Sequence, residues 1–217
     1  VDEIEENFAY LRDVLGAKYL PLSFAETSVE TSQENELEVL QASMVGCEKC
    51  KLHRGRTTIV FGSGNPKARL MFVGEGPGEQ EDLQGLPFVG PAGQLLTKMI
   101  TAMGLTRDDV YIANVVKCRP PFNRNPEPDE IGECSPFLLK QIEFINPEII
   151  VALGGVAAKS LLKTEERIGR LRGSVHNFLG RKLIATFHPS YLLRNPAEKK
   201  AAWSDLQFVM KELEPIK

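Results

Sequence analysis

Four short apolar runs govern what this chain can fold into. They are Arg69–Gly74 (RLMFVG), Val110–Val115 (VYIANV), Glu148–Gly154 (EIIVALG) and Lys182–Phe187 (KLIATF). Each is short, rich in Val, Ile or Phe, and bounded by Gly, Pro, Asn or charge, as strands buried on both faces should be. Helical patterns lie between and after them, at Gly93–Met103, Pro128–Phe144, Gly155–Leu162 and Pro196–Leu213. Strands that alternate with helices imply the α/β class, as a three-layer α/β/α sandwich around a central four-stranded parallel sheet. Ligands in such folds bind beyond the carboxyl ends of the strands, so chemistry is to be sought in the residues that follow each run.

The N-terminal part has a different character. Ile4, Phe8, Leu11 and Leu15 fall at helical spacing within residues 3–15, whereas residues 21–36 are polar and read as a linker. A second helical stretch, 34–45, runs into Cys47, and the folded domain is expected to start near residue 36 or 37. Charge divides the same way. The whole chain holds 26 basic and 29 acidic residues, a net of −3, but residues 1–40 contain two basic and ten acidic residues. The remainder therefore carries 24 basic and 19 acidic residues, a net of +5. The overall sum argues against a nucleic-acid binder; the sum for residues 41–217 allows one. No apolar run approaches the roughly 18 residues of a membrane span. The opening VDEIEENF is acidic where a secretory signal would be basic and then apolar, so a cytoplasmic protein is expected.

The strand ends carry the candidate chemistry. After the first run comes Gly74-Glu75-Gly76-Pro77-Gly78-Glu79-Gln80-Glu81-Asp82. A dinucleotide-binding turn would need a third Gly where Glu79 stands, and Pro77 removes a backbone N–H that could face phosphate. Glycines beside several carboxylates suit a neutral ligand and a reaction that builds positive charge. The plainer reading is a tight turn and a solvated acidic loop. Phe88, in a loop bounded by Gly and Pro, could stack on a flat ligand or belong to the core. Asn114 ends the second strand and offers a paired donor and acceptor, which matches a pyrimidine edge, although Asn at a strand end also caps turns. His188 follows the fourth strand, fixed by Pro189, as a hydrogen-bond donor or general acid. Leu192, Leu193 and Arg194 then offer apolar side chains that could wedge into a base stack beside a phosphate-binding Arg, or leucines that return to the core. His53 and His176 have no such setting.

Cys47 and Cys50 form a C-x₂-C pair, and Cys118 and Cys134 complete the protein's four cysteines. Four thiolates could hold one metal centre. The spacing lacks the second C-x₂-C of a zinc ribbon, while a cuboidal cluster tolerates scattered ligands; iron–sulfur and structural zinc both remain open on spacing alone.

Taken in order, GEGPGEQED (74–82), PFVGPAGQLL (87–96), NVVKCRPPFNR (114–124), HPSYLLRNP (188–196) and the four-cysteine pattern resemble the family 4 uracil-DNA glycosylases. These form the iron–sulfur-containing branch of the uracil-DNA glycosylase superfamily. The likeness covers roughly residues 40–213. Residues 1–36, the acidic extension and linker, are not explained by it; for the glycosylase domain at 37–217 it implies that Cys47, Cys50, Cys118 and Cys134 ligate a structural [4Fe-4S] cluster. It further implies that Glu75 and Gly76 line a uracil pocket, that Phe88 stacks on the flipped base and that Asn114 reads its edge. His188 would donate to uracil O2, and Leu192 or Leu193 would fill the hole left in the duplex.

The superfamily's water-activating Asp has no counterpart, because Gly76 occupies its position. Glu75 or Glu81 is expected to orient the water, with Asn123 as an accessory group. Arg119, Arg124 and Arg194 are expected to meet the DNA backbone. A related subgroup that becomes trapped covalently on DNA carries a basic, His-containing insertion after the second strand. Here the chain reads CRPPFNRNPEPDE, which implies ordinary turnover. With no Lys evidently placed for a Schiff base, a monofunctional, monomeric enzyme is expected. It would act on single- or double-stranded uracil-containing DNA, away from membranes, and pass an abasic site to downstream repair proteins. The rivals are a non-catalytic DNA-binding module and an iron–sulfur electron carrier.

Overall fold

The computed structural model describes residues 33–213. The helix expected at 3–15 and most of the linker expected at 21–36 lie outside the described residues. The first element, α1 (Gln33–Ser43), begins inside the stretch read as linker. It buries Leu37, Leu40 and Met44, and the chain then runs through a short 3₁₀ turn at Lys51–Arg54.

Six strands form one sheet. They are β1 (Ser63–Gly64), β2 (Leu70–Gly74), β3 (Tyr111–Asn114), β4 (Ile149–Leu153), β5 (Val175–Phe178) and β6 (Arg181–Thr186), in the order β1-β3-β2-β4-β6-β5. The four apolar runs are the four inner strands, all parallel and almost wholly buried. The expected strand count of four is corrected to six, because an antiparallel strand closes each edge. Neither edge strand carries an apolar run. β1 has two residues, and Gly64 lies so close to β3 that a Cβ there would stand 2.0 Å from the Val110 carbonyl oxygen. β5 is largely exposed and joins β6 through Leu179 (φ 51°) and Gly180 (φ 79°). Positive φ at both turn residues is the tight hairpin geometry usually written Asn-Gly; Leu at the first position hides it.

Side-chain alternation along the strands supplies two cores. Met71, Val73, Ala113, Ile150, Ala152 and Leu183 point to one face, under α1, α4 (Pro128–Ile145) and α5 (Gly155–Leu162). Leu70, Phe72, Ile112, Val151 and Ile184 point to the other, under α3 (Pro91–Ala102) and the C-terminal helix α8 (Lys199–Leu213). This is the expected three-layer sandwich. Three short helices complete it: α2 (Glu79–Gln84), α6 (Ile168–Leu171) and α7 (Pro189–Arg194).

Strand order places the site. From β2 the chain moves outward to β3, then returns past β2 to β4 and continues to β6. Order therefore reverses between β2 and β4, and a crevice at the carboxyl ends is expected there. Register levels those ends, with Gly74 opposite Asn114 and Leu153 opposite Thr186.

Candidate active site

A cleft of about 730 Å³ occupies this switch point. Its lining draws on every strand end named above: Glu75, Gly76 and Glu81 after β2, Phe88 before α3, Asn114 and Asn123 with β3, Gly154 after β4, and His188, Tyr191 and Arg194 after β6. The candidate residues of four separate motifs thus converge on one cavity.

Asn114 sits at the cleft floor, 1% exposed, and its side-chain oxygen has no hydrogen-bond partner among the described residues. An orphaned buried carbonyl costs about 1–3 kcal/mol, so this amide is held ready for a donor that arrives from outside. Phe88 lies against it. A Cβ on Gly74 would stand 2.4 Å from the Asn114 oxygen and 2.5 Å from Phe88 Cζ, so the absent side chain is what lets ring and amide share the floor. Phe88 itself has φ 54° and is buried. Arg107, which sequence reading passed over, fixes this loop by donating from Nη1 to the Phe88 carbonyl (3.1 Å) and from Nη2 to that of Pro87 (2.7 Å). Phe88 thus belongs to the core and also lines the cleft.

His188 faces Phe88, with ring centroids 5.7 Å apart. It caps α7, and its Nδ1 accepts from the Ser190 backbone N–H at 3.1 Å. Nδ1 is therefore unprotonated and Nε2 carries the proton of the neutral ring. Burial, reinforced by the Arg194 charge, pushes the ring's pKa down to about 4. Gly154 makes room for it, combining φ +90° with a position where a Cβ would lie 2.8 Å from His188 Cβ. Sequence reading missed Gly154, although Gly154-Gly155 directly follows the third apolar run and the strand-end rule points to it.

The acidic cluster separates into distinct roles. Asp82 is buried and accepts from the Thr57 and Thr58 amides. Glu81, one of two carboxylates expected beside the water, accepts from the backbone N–H groups of Val89 (2.9 Å), Gly90 (2.8 Å) and Gly78 (3.1 Å). With both oxygens committed to the backbone, it clamps the Phe88 loop together with Arg107. Glu79 pairs with Arg119 at 3.4 Å. Glu75 alone keeps a carboxylate without a hydrogen bond or ion pair among the described residues, and burial pushes its pKa up to about 7. A solvated acidic loop is thus not what forms; the stretch is a helix with its carboxylates in the first turn, where they complement the helix dipole.

At the rims, Arg119 donates to Asn123 Oδ1 at 2.9 Å, and Arg124 makes a bidentate pair with Glu130 at 2.6 and 2.8 Å. Leu192 is 1% exposed and packs inward, whereas Leu193 is 43% exposed. Of the two leucines expected at the DNA, Leu192 is therefore corrected to a core residue, because it has no free surface, and only Leu193 is exposed. Lys159 also borders the cleft, its Nζ donating to Glu165 at 3.2 Å.

In the core layer under α1 and α4 the four cysteines, none in a disulfide, border one small void together with Met44, Ile59 and Phe137. Among the described residues no three His, Cys, Asp or Glu side chains form a group that could hold a metal ion. The Lys117 amide donates to Cys134 Sγ at 3.3 Å and Arg56 Nη1 to Cys118 Sγ at 3.5 Å. Among the described residues no helix is long and apolar enough to cross a membrane.

Residues 61–207 match the sequence profile of the Uracil DNA glycosylase superfamily. The chain is 51% identical over 166 residues to a type-4 uracil-DNA glycosylase of Thermotoga maritima, covering 76% of this chain and 86% of that protein. It is 46% identical over 188 residues to the type-4 uracil-DNA glycosylase of Saccharolobus solfataricus (82% and 87% covered). Against that of Archaeoglobus fulgidus it is 44% identical over 179 residues (79% and 90% covered).

Proposed function

The chain belongs to the type-4 family of the uracil-DNA glycosylase superfamily, and from that premise we infer how its cleft removes uracil from DNA. The protein is a hydrolase of N-glycosyl bonds that acts in DNA repair. The observation that carries the reading of its site is the orphaned oxygen of Asn114.

Uracil presents an N3–H donor between two carbonyl acceptors. In the proposed pose Asn114 Oδ1 accepts from N3–H and the Asn114 amide NH₂ donates to O4, while Phe88 lies against the base plane. Cytosine carries no proton on N3 and offers an amino group in place of O4, so both contacts would reverse polarity. Leaving the buried Asn unpaired is a strong means of rejection. The nucleotide must leave the helical stack to reach the floor, at a cost of a few kcal/mol.

Bond cleavage then moves negative charge onto uracil and positive charge onto the sugar. The Nε2–H of His188 is the proposed donor to O2, a preorganised neutral group worth roughly 2.7–4 kcal/mol if it behaves like a lost oxyanion donor. A neutral imidazole suits this role, because it donates without first losing a proton to solvent. Glu75 is the proposed base that orients water on the sugar side; its neighbour at the superfamily's Asp position, Gly76, has no side chain to do so. Asn123 lends its amide, its oxygen being held by Arg119. Glu81 keeps the Phe88 loop in place rather than handling water.

We assign Cys47, Cys50, Cys118 and Cys134 to a [4Fe-4S] cluster. The four thiols border one void, which suits a single shared centre, and N–H donors aimed at sulfur are a usual means of stabilising iron–sulfur centres. When bound, the cluster would cross-link the segment after α1, the loop after β3 and α4; no bond-cleavage step runs through it. Arg119, Arg124, Arg194 and Leu193 are proposed to contact DNA, with the enzyme acting as a cytoplasmic monomer that leaves an abasic site. The test is incubation with an end-labelled uracil-containing oligonucleotide, then alkali: scission at uracil only after alkali is expected, and scission before alkali would refute the monofunctional reading.

A further inference from the structure

Phe122 is the most exposed large apolar residue of the described chain, at 99%, and it stands on the rim of the cleft. Its neighbours Pro120, Asn123, Arg124 and Asn125 all line the cavity, while the Phe122 ring stands outside it. The conformation is unfavourable twice over. Phe122 and Asn123 both have φ 55°, a region that bulky side chains rarely occupy, and an aromatic ring is left in water.

This rim is nevertheless rigid. The Asn123 amide donates to the Pro120 carbonyl (3.1 Å) and the Arg124 amide to that of Pro121 (3.1 Å). Arg119 holds Asn123 Oδ1, and Arg124 is anchored to Glu130, whose side chain is fully buried. Two prolines restrict the approach to the turn. The backbone that carries the ring is thus fixed before binding, so ordering it adds little to the cost of a contact there.

We propose that Phe122 stacks on a DNA base that flanks the extruded uracil nucleotide. The inference rests on the glycosylase reading and adds a contact to it. A strand that delivers one nucleotide to the Asn114 floor must carry its neighbours across the rim, and extrusion leaves one of them without a stacking partner. The same turn carries Arg119 and Arg124, whose charges would favour a strand that crosses the rim. Stacking is indifferent to base identity, so the contact supports binding at any sequence.

The test is a double-mutant cycle in which the second mutation is made in the DNA. Binding is measured with a single-stranded oligonucleotide that carries 2′-fluoro-deoxyuridine, which resists cleavage, and an abasic site replaces the flanking base on the 5′ or the 3′ side. We expect Phe122→Ala to weaken binding by about tenfold, Phe122→Trp to restore it, and removal of the flanking base on one side to weaken the unsubstituted protein by a similar factor. The two losses should not multiply when combined. A 2-aminopurine at that flank should change its fluorescence with the unsubstituted protein and not with Phe122→Ala. Losses that multiply on both sides, or Phe122→Ala binding as tightly as the unsubstituted protein, would overturn the proposal. Uracil release from the ordinary deoxyuridine oligonucleotide is scored alongside: its absence would bring down the glycosylase reading, whereas its presence with unaltered Phe122→Ala binding brings down only the stacking contact.

Discussion

The Ser190 backbone N–H donates to Nδ1 of His188 at 3.1 Å, and this one bond fixes where the ring's proton resides. Because Nδ1 accepts, Nε2 must donate, and burial keeps the ring neutral down to about pH 4. The rate of uracil release should therefore show no break near pH 6.5, the ordinary histidine value. His188→Ala should lower the single-turnover rate by roughly 10²–10³-fold, as for a lost oxyanion donor, with little change in DNA affinity. Rapid-quench kinetics against pH would check both.

Glu75 supplies the pH dependence instead. Its carboxyl is raised to about 7 by burial, so the ionised fraction, and with it the rate, should fall about tenfold per pH unit below 7 and level off above it. Glu75→Gln should lose this limb. Stability should move the other way. The folded protein keeps the Glu75 proton up to about pH 7, while the unfolded chain releases it near 4.5. Between these values the folded state holds more protons, so stability declines as pH rises, and the full deficit persists above 7. At about 1.4 kcal/mol per pH unit it amounts to at most about 3 kcal/mol, less what partial solvation of the carboxylate removes. Thermal denaturation should find Glu75→Gln more stable than the unsubstituted protein at about pH 8 and indistinguishable from it near the unfolded value.

Asn114 carries the same opposition between function and stability. Replacing it with Leu of similar size removes an unpaired buried oxygen. The variant should gain about 1–2 kcal/mol in urea denaturation while losing uracil release by at least about 10²-fold. A variant that lost stability and kept activity would contradict the assigned role of the amide.

The cysteines should behave as a set. Purified protein is expected to contain iron and acid-labile sulfide in equal amounts, with a visible absorption band that Cys134→Ser removes or weakens. That variant should also unfold at lower temperature, since metal binding and folding are coupled. One zinc per chain and no sulfide would refute the cluster.

Much of the frame could be read from the sequence because buried parallel strands leave continuous apolar runs; all four inner strands are found where those runs lie. The edge strands escaped notice for the converse reason. β5 is half in water, and its turn carries Leu179 at φ 51°, where sequence rules look for Asn. Within the site, polar side chains at or just after a strand end were legible: Glu75, Asn114 and His188 all line the cleft. Those that act by absence or from a distance were not. Gly154 matters because a Cβ would strike His188, and Arg107 matters because it reaches two carbonyls some twenty residues away. Glu81 illustrates a further limit: sequence marks a carboxylate in an acidic cluster, but only folding reveals that three amides already occupy it.

The central claim is that this cleft excises uracil and rejects cytosine. Its most direct measurement is chromatographic quantitation of free base released from two oligonucleotides that differ only in uracil or cytosine at one position. The account predicts stoichiometric uracil release, no detectable cytosine release, and strands that stay intact until alkali is added. Lys159 borders the cavity, so borohydride is included, and no covalent protein–DNA adduct should form. Failure to release uracil under conditions where a control glycosylase does, or equal release of both bases, would contradict it.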